Sequence, residues 1–362
     1  MSSQQQPDER AERAGRWAPD LGTARLIGGG RTAAMLRRDA TVQWWCAPDF
    51  DDAPVCWQLL DPDGGAASFC NLAFFDAGSA PAGASARTLL RGATGIVKVW
   101  DGLLDAGSGV ALVRLMRPYR SGSRSGSGHQ TVEHALRLGG FAGPWVTFQL
   151  TGMVAEGSHP SRGRQRAVRV HADQHRVCDG VLYSTVWLTP DRWSALVVAV
   201  AGDLVPDAEV LAQRLKSRDA VERNRLASCR LPRVHPERAV DALAVLRACT
   251  YRSSGAVVAS PTTSLPEAPG HDRQFDYRYT WLRDASVSTA VAALLGQPQD
   301  ARRHLDLVHR VWVDRKLLIT RCLTCAVSSC RTPVTCMGSP GGRRPGRCES
   351  VTQRAISGST TR

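Results

Sequence analysis

At Pro206 the chain changes its periodicity, and that change constrains any fold it can adopt. Before this point, short runs of alternating apolar and polar residues are separated by Gly, Ser and Pro. Val168 and Val170 alternate with Arg169 and His171, the spacing of a strand with one buried face. Similar runs fall at Gly95–Trp100, Val110–Met116, Thr131–Leu138, Trp145–Val154, Gln165–His171, Gly180–Trp187 and Ala195–Ala201. Many short strands punctuated by turn residues read as an antiparallel β-sandwich. Residues 31–37 and 41–46 predict a hairpin around Asp39-Ala40. That pair lacks the residue best able to take positive φ, so a different turn is expected there. The run SGSRSGSG (121–128) reads as a flexible loop within the sandwich, since strand pattern resumes directly after it.

After Pro206 the pattern becomes helical. Asp207 to Ala227 has no Pro or Gly and carries Leu211, Leu215 and Leu226, which predicts a surface linker helix. Pro232 and Pro236 interrupt it. Glu237–Arg252 predicts a largely buried helix, with Val240, Leu243 and Ala244 on one face. A further helix should start near Trp281 and end before Gly296. Another spans about Asp300 to Trp312, with Ala301, Leu305, Val308 and Trp312 forming its stripe. The expected organisation is a polar arm (1–18), a β-sandwich (19–203), a linker helix (204–235), the start of a helical domain (236–316) and a tail of different composition (317–362).

Charge and cysteine content narrow the function classes. The formal net charge of +13 would ordinarily suggest a polyanionic partner. However, seven Arg against the single Glu349 lie beyond Lys316, and the remaining basic residues are scattered rather than striped. No nucleic-acid partner is therefore expected. There is no long apolar run to span a membrane, and the polar N-terminal segment has no signal-peptide core, so a cytoplasmic location is expected. Cys322-x-x-Cys325 has half the spacing of a zinc site, but no His follows His309; no metal and no cofactor are expected. Gly28-Gly29-Gly30-Arg31-Thr32-Ala33 satisfies a dinucleotide-binding pattern. That pattern needs a helix to follow it, whereas a strand is predicted here.

The densest chemistry lies between Ala259 and Ser286. Pro261, Pro266, Pro269 and Gly270 keep the first half irregular. Phe275, Asp276, Tyr277, Arg278, Tyr279, Trp281, Arg283 and Asp284 then crowd the entry to a helix. Aromatic faces stack on the C–H face of a pyranose, and planar charged groups pair with vicinal hydroxyls. The competing reading makes Arg283–Asp284 a structural ion pair at a helix start, where an acid also favours the dipole.

ASPTTSLPE followed by DYRYTWLRDAS resembles the start of the catalytic domain of bacterial glycoside hydrolase family 15, the glucoamylase and trehalase-like enzymes. The segment LIGGGRTAAMLRRDATVQWWCAPDFDDAPVCWQLLDP extends the resemblance towards the N-terminus. The resemblance implies an N-terminal β-sandwich, a helical linker and an (α/α)6 barrel that hydrolyses α-glucosides with inversion, trehalase-like foremost. It also implies that Arg283 and Asp284 bind the non-reducing glucose while Tyr277 and Trp281 shape its pocket. Alternatives are a glucoamylase-type exo-hydrolase of maltooligosaccharides and a non-catalytic carbohydrate-binding sandwich. Alternation within Asp276-Tyr277-Arg278-Tyr279 directs Asp276 and Arg278 away from the pocket, into support of the loop. Glu267 borders the site but reads as scaffold. Inverting hydrolysis needs two carboxyls with room for a water between them, and in the family both are glutamates well downstream. After Glu267 only Glu349 remains, so no catalytic residue is assigned and the chain is expected to be a truncated, inactive form.

The tail carries its own expectation. Cys348–Arg354 can be encoded TGC GAG TCG GTA ACG CAG CGC, and the frame one nucleotide earlier reads Arg-Val-Gly-Asn-Ala-Ala, similar to a segment of the family. The expected result of sequencing the gene is therefore GTA at Val351, with an open shifted frame beyond. Any other valine codon there removes the frameshift reading.

Overall fold

A computed structural model describes residues 21–78, 83–119, 130–141, 143–161, 164–265, 275–315 and 322–323. The expected arm and nearly all of the expected tail lie outside the described residues. Two eight-stranded antiparallel sheets form the N-terminal part. The first contains β1 (Arg25–Gly28), β2 (Ala33–Leu36), β3 (Val42–Cys46), β4 (Pro54–Cys56), β5 (Ala66–Phe69), β10 (Gln130–Arg137), β14 (Gln174–Cys178) and β15 (Val181–Leu188). Its order is β1-β2-β3-β5-β10-β15-β14, with β4 paired to β3. The second contains β6 (Ala73–Gly78), β7 (Ser85–Gly92), β8 (Gly95–Ala106), β9 (Gly109–Pro118), β11 (Gln149–Thr151), β12 (Val154–Ser161), β13 (Arg164–His171) and β16 (Ser194–Val200). Its order is β11-β12-β13-β16-β9-β8-β7-β6.

Alternation builds the core between them. Leu182, Val186 and Leu188 of β15 turn inward, as do Val97, Val99 and Leu103 of β8 and Leu112 and Met116 of β9. Each such side chain contributes about 1.5–3 kcal/mol by leaving water. Three charged or titratable side chains share that inward register: Asp101, Arg114 and His134, all fully buried. Arg114 donates from Nε to Asp101 Oδ1 at 2.8 Å and from one terminal nitrogen to the Ala67 carbonyl at 3.2 Å. It also reaches His134 Nε2 and the Ala40 carbonyl, and its guanidinium lies 4.3 Å from the Phe69 ring centre.

Two sequence expectations are corrected here. The β2–β3 hairpin keeps its turn at Ala40, which itself adopts φ 64°; the Arg114 guanidinium bonded to its carbonyl helps hold that conformation. Trp145–Val154 is not one strand. Gly152, at φ 60°, turns the chain between β11 and β12, which pair with each other. The glycine-rich run 28–30 leads into strand β2, not a helix, and its small residues serve packing. A Cβ on Gly28 would stand 2.8 Å from the Ala248 Cα.

Four helices follow: α1 (Ala208–Ala227), α2 (Pro236–Ala248), α3 (Leu282–Leu294) and α4 (Pro298–Arg315). Asp207 caps α1 by accepting from the Val210 amide at 3.0 Å. Leu211 and Leu215 of α1 cover Trp100, Leu104 and Leu115 on the outer face of the second sheet. Ser85 donates to Asp219 of α1 at 2.8 Å, adding a buried polar tie. Leu226, Leu243, Ala244 and Ala292 then join α1, α2 and α3. Around them, Arg225 and Arg247 each bridge Glu222 and Asp300 at 3.0–3.5 Å, linking α1, α2 and α4.

The helices dock on one end of the sandwich. Leu307 and Val311 of α4 pack with Ala33, Phe50 and Tyr251. The buried stripe of α4 is therefore His304, Leu307 and Val311, and Leu305, expected in the stripe, is 65% exposed. The Tyr251 hydroxyl donates to Asp49 at 2.8 Å, and Arg252 donates to the Gly29 carbonyl at 2.8 Å. Burial, reinforced by the Asp49 charge, pushes the Tyr251 hydroxyl up to about 12, so this donor stays protonated. Helix α2 buries Leu243, Ala244 and Ala248 but leaves Val245 exposed; Val287, Val291 and Leu294 of α3 are exposed too.

Candidate functional site

The aromatic and ionic segment forms two antiparallel arms between α2 and α3. The Ala259 amide donates to the Tyr279 carbonyl at 3.0 Å, Ser260 to Tyr277 at 2.9 Å and Ser264 to Phe275 at 2.8 Å. Glu267 lies outside the described residues. Pro261 of the first arm lends its carbonyl to the sandwich: Trp44 Nε1 donates to it at 2.8 Å. Leu265 packs into the cluster of Trp44, Trp57 and Phe141 on the outer face of the first sheet.

The second arm alternates as its sequence predicts. Asp276 and Arg278 point toward the sandwich, with side chains 11% and 4% exposed. Arg278 donates to both Asp276 oxygens, at 2.8 and 2.6 Å, and to the Asp52 carbonyl at 2.7 Å. Its guanidinium also meets Cys46 Sγ at 3.4 Å. Burial opposes the Arg278 charge, but its acidic and thiol neighbours outweigh burial and hold its pKa well above the usual value. Burial also pushes the Cys46 thiol up to about 11, so it meets Arg278 as a neutral group.

The four residues assigned to substrate are distributed unequally. Trp281 sits in extended conformation (φ −92°, ψ 112°) at the N-cap of α3, and Asp284 occupies the helix's first turn. Both line an open pocket of about 490 Å³, together with Asp241 and Val245 of α2, Val258 and Ser288. Tyr277 is more than a third exposed, stacks on Phe275 at 6.2 Å and stands outside that wall. Arg283 also stands outside it; its side chain is 86% exposed and donates to Asp284 at 3.3 Å. Exposed pairs of this kind add little stability, which leaves both groups available to a ligand. Asp241 was not singled out from the sequence. Its only signal is spacing: it precedes Val245 and Cys249 at i+4 and i+8 and is the polar member of that pocket-facing stripe.

Residues 237–329 match the family model described as glycosyl hydrolases family 15. Through this segment the chain is similar to glycosyl hydrolase family 15. The segment includes the second arm, the pocket and α3, and runs beyond Lys316. Trehalase 2 of Sulfolobus acidocaldarius is 37% identical over 86 residues, covering 24% of this chain and 15% of that protein. The trehalase of Mycolicibacterium smegmatis is 42% identical over 69 residues, covering 18% of this chain and 10% of that protein. The matches thus span a small fraction of these relatives' length. A crystal structure of bacterial glucoamylase complexed with acarbose superposes with a TM-score of 0.50 at 12% identity. It covers 86% of this chain and 53% of that one, a likeness of fold. No described helix is long and apolar enough to cross a membrane.

Proposed function

We propose that this chain carries the sugar-recognition side of an inverting α-glucoside hydrolase of trehalase type, at the start of an (α/α)6 barrel. One observation carries the reading: Trp281 and Asp284, from the family-matching segment, stand together on the wall of a pocket large enough for a sugar. In this reading the indole supplies an apolar face for the pyranose ring, and Asp284 accepts from its hydroxyls. Arg283 clamps the same sugar from outside the wall, swinging from its exposed position beside Asp284. Tyr277 shapes the approach.

Proton transfer has no assigned residue. Among the described residues, two carboxylates, Asp241 and Asp284, line the pocket, and Asp284 is committed to binding. The proposed behaviour is therefore binding without turnover, with no cofactor and no metal. The relatives named trehalase favour trehalose. A glucoamylase-type preference for maltooligosaccharides is the second reading, favoured by the fold shared with the bacterial glucoamylase.

Titration calorimetry with trehalose and with maltose tests both. Asp284→Ala should weaken binding by about 1.5–3 kcal/mol, the worth of a hydrogen bond to a charged group, or ten- to a hundredfold. Undiminished affinity in this variant would remove Asp284 from the site. Tighter binding of maltose than of trehalose would select the glucoamylase-type reading.

A further inference from the structure

The outer face of the first sheet holds an indole that packing does not explain. On β15 the inward residues Leu182, Ser184, Val186 and Leu188 are buried, which turns Tyr183, Thr185 and Trp187 outward. Among the described residues, helix α1 covers the other sheet, and the loop arms cover the β2–β4 end of this one. Trp187 is 51% exposed. A large, half-exposed aromatic on this sheet face leaves apolar surface in water that burial would reward.

Its neighbours are fixed by strand register. Thr131 of β10 lies directly across from Trp187, and Glu133 across from Thr185. On the other side, Gln174 of β14 faces Thr185 and Arg176 faces Tyr183. Arg176 donates to Glu133 at 2.6 Å and stacks on the Tyr183 ring at 3.9 Å. The strip thus presents, in order, an indole, two threonine hydroxyls, an amide, and a planar carboxylate–guanidinium pair. From Trp187 to Tyr183 it runs four residues, about 13 Å at strand rise, which exceeds a single pyranose ring.

The strip is continuous with the surface that seats the candidate site. Arg137, further along β10, lies 4.2 Å over the Trp145 ring, and Trp145 stacks on Trp57 at 5.9 Å. That cluster is the one that receives Leu265 of the loop.

We propose that this face is a second carbohydrate site, separate from the pocket, that binds an extended α-linked glucan. One sugar stacks on Trp187, and hydroxyls of the following sugars meet Thr185, Gln174, Glu133 and Arg176. The proposal rests on the α-glucoside reading of the pocket, but its ligand differs: it needs no chain end.

β-Cyclodextrin, a ring of α-linked glucose without a chain end, separates the two sites. Calorimetry on the full chain should show binding that Trp187→Ala weakens at least tenfold, with circular dichroism unchanged. Thr131→Lys, which places a long charged side chain beside the indole, should weaken it similarly. Asp284→Ala should leave β-cyclodextrin affinity unaltered while lowering trehalose affinity. The proposal is overturned if β-cyclodextrin does not bind, if both sheet variants bind it as tightly as the parent chain, or if Asp284→Ala abolishes its binding. Loss of trehalose binding alone bears on the pocket and leaves this site standing.

Discussion

Arg278→Ala should lower the stability of the chain by about 3–5 kcal/mol, the usual cost of leaving one partner of a buried ion pair alone. Asp276 would keep its charge in a site from which water is nearly excluded, having lost both bonds from the guanidinium. The Asp52 carbonyl and Cys46 would lose their shared donor as well. Arg278→Lys should recover only part of the loss, because an ammonium cannot serve two carboxylate oxygens and a carbonyl from a planar fork. Urea midpoints measure the stability. Limited proteolysis should show faster cleavage within residues 259–281, because the arm that leads to Trp281 would lose its hold on the sandwich. A loss below about 1 kcal/mol, the range of exposed pairs, would mean that the Arg278–Asp276 pair contributes little to holding the loop on the sandwich.

This coupling shows what the sequence could and could not reveal. Strands β8, β9 and β16, buried on both faces where α1 covers the second sheet, stood out as apolar runs between turn residues. Strand alternation located β10, β13 and β15 because each has one buried face, and period two survives any detail of packing. The same period sent Asp276 and Arg278 away from Tyr277. It failed at Trp145–Val154, where an apolar-rich stretch hid the turn that Gly152 makes. Helix α4 was placed, but its stripe was misassigned. Leu305 looks apolar enough to be buried, yet the surface it would need is not among the elements packed on α4, and Leu307 meets the sandwich instead. The pocket was half legible. Trp281 and Asp284 are marked by their dense motif, whereas Asp241 belongs to a helix that reads as core and gains its role only from facing α3.

The buried Arg114 cluster was not singled out from the sequence, where its signal is a violation of the apolar register. In β9 the inward series is Val110, Leu112, Arg114, Met116, and in β8 it is Val97, Val99, Asp101, Leu103. A charge in such a register must find its counter-charge inside, and Asp101 and Arg114 are direct cross-strand partners. Arg114→Met should therefore cost about 3–5 kcal/mol by stranding Asp101, a large part of the 5–15 kcal/mol that holds an ordinary domain together. The double change Asp101→Asn with Arg114→Met should recover much of it, since no unpaired charge then remains.

His134 gives the same cluster a pH signature. Its Nε2 faces the Arg114 guanidinium, which can only donate, so the imidazole must accept there and stay neutral. Burial, and after it the Arg114 charge, hold its pKa well below the usual histidine value. The unfolded chain binds a proton at this residue near pH 6.5, whereas the folded chain does not. Stability contributed by the neutral ring is therefore complete above that pH and is lost as pH falls toward the folded pKa. The slope from this one group approaches about 1.4 kcal/mol per pH unit. His159, His175 and His304 are also lowered, chiefly by burial, and add to it in the same direction. Urea midpoints at decreasing pH from 7.5 should fall below about pH 6.5. His134→Gln keeps an acceptor for Arg114 and cannot titrate, so it should flatten the slope by up to one proton. An unchanged slope in that variant would show that His134 is protonated in the folded chain, and the acceptor role assigned to it beside Arg114 would be wrong.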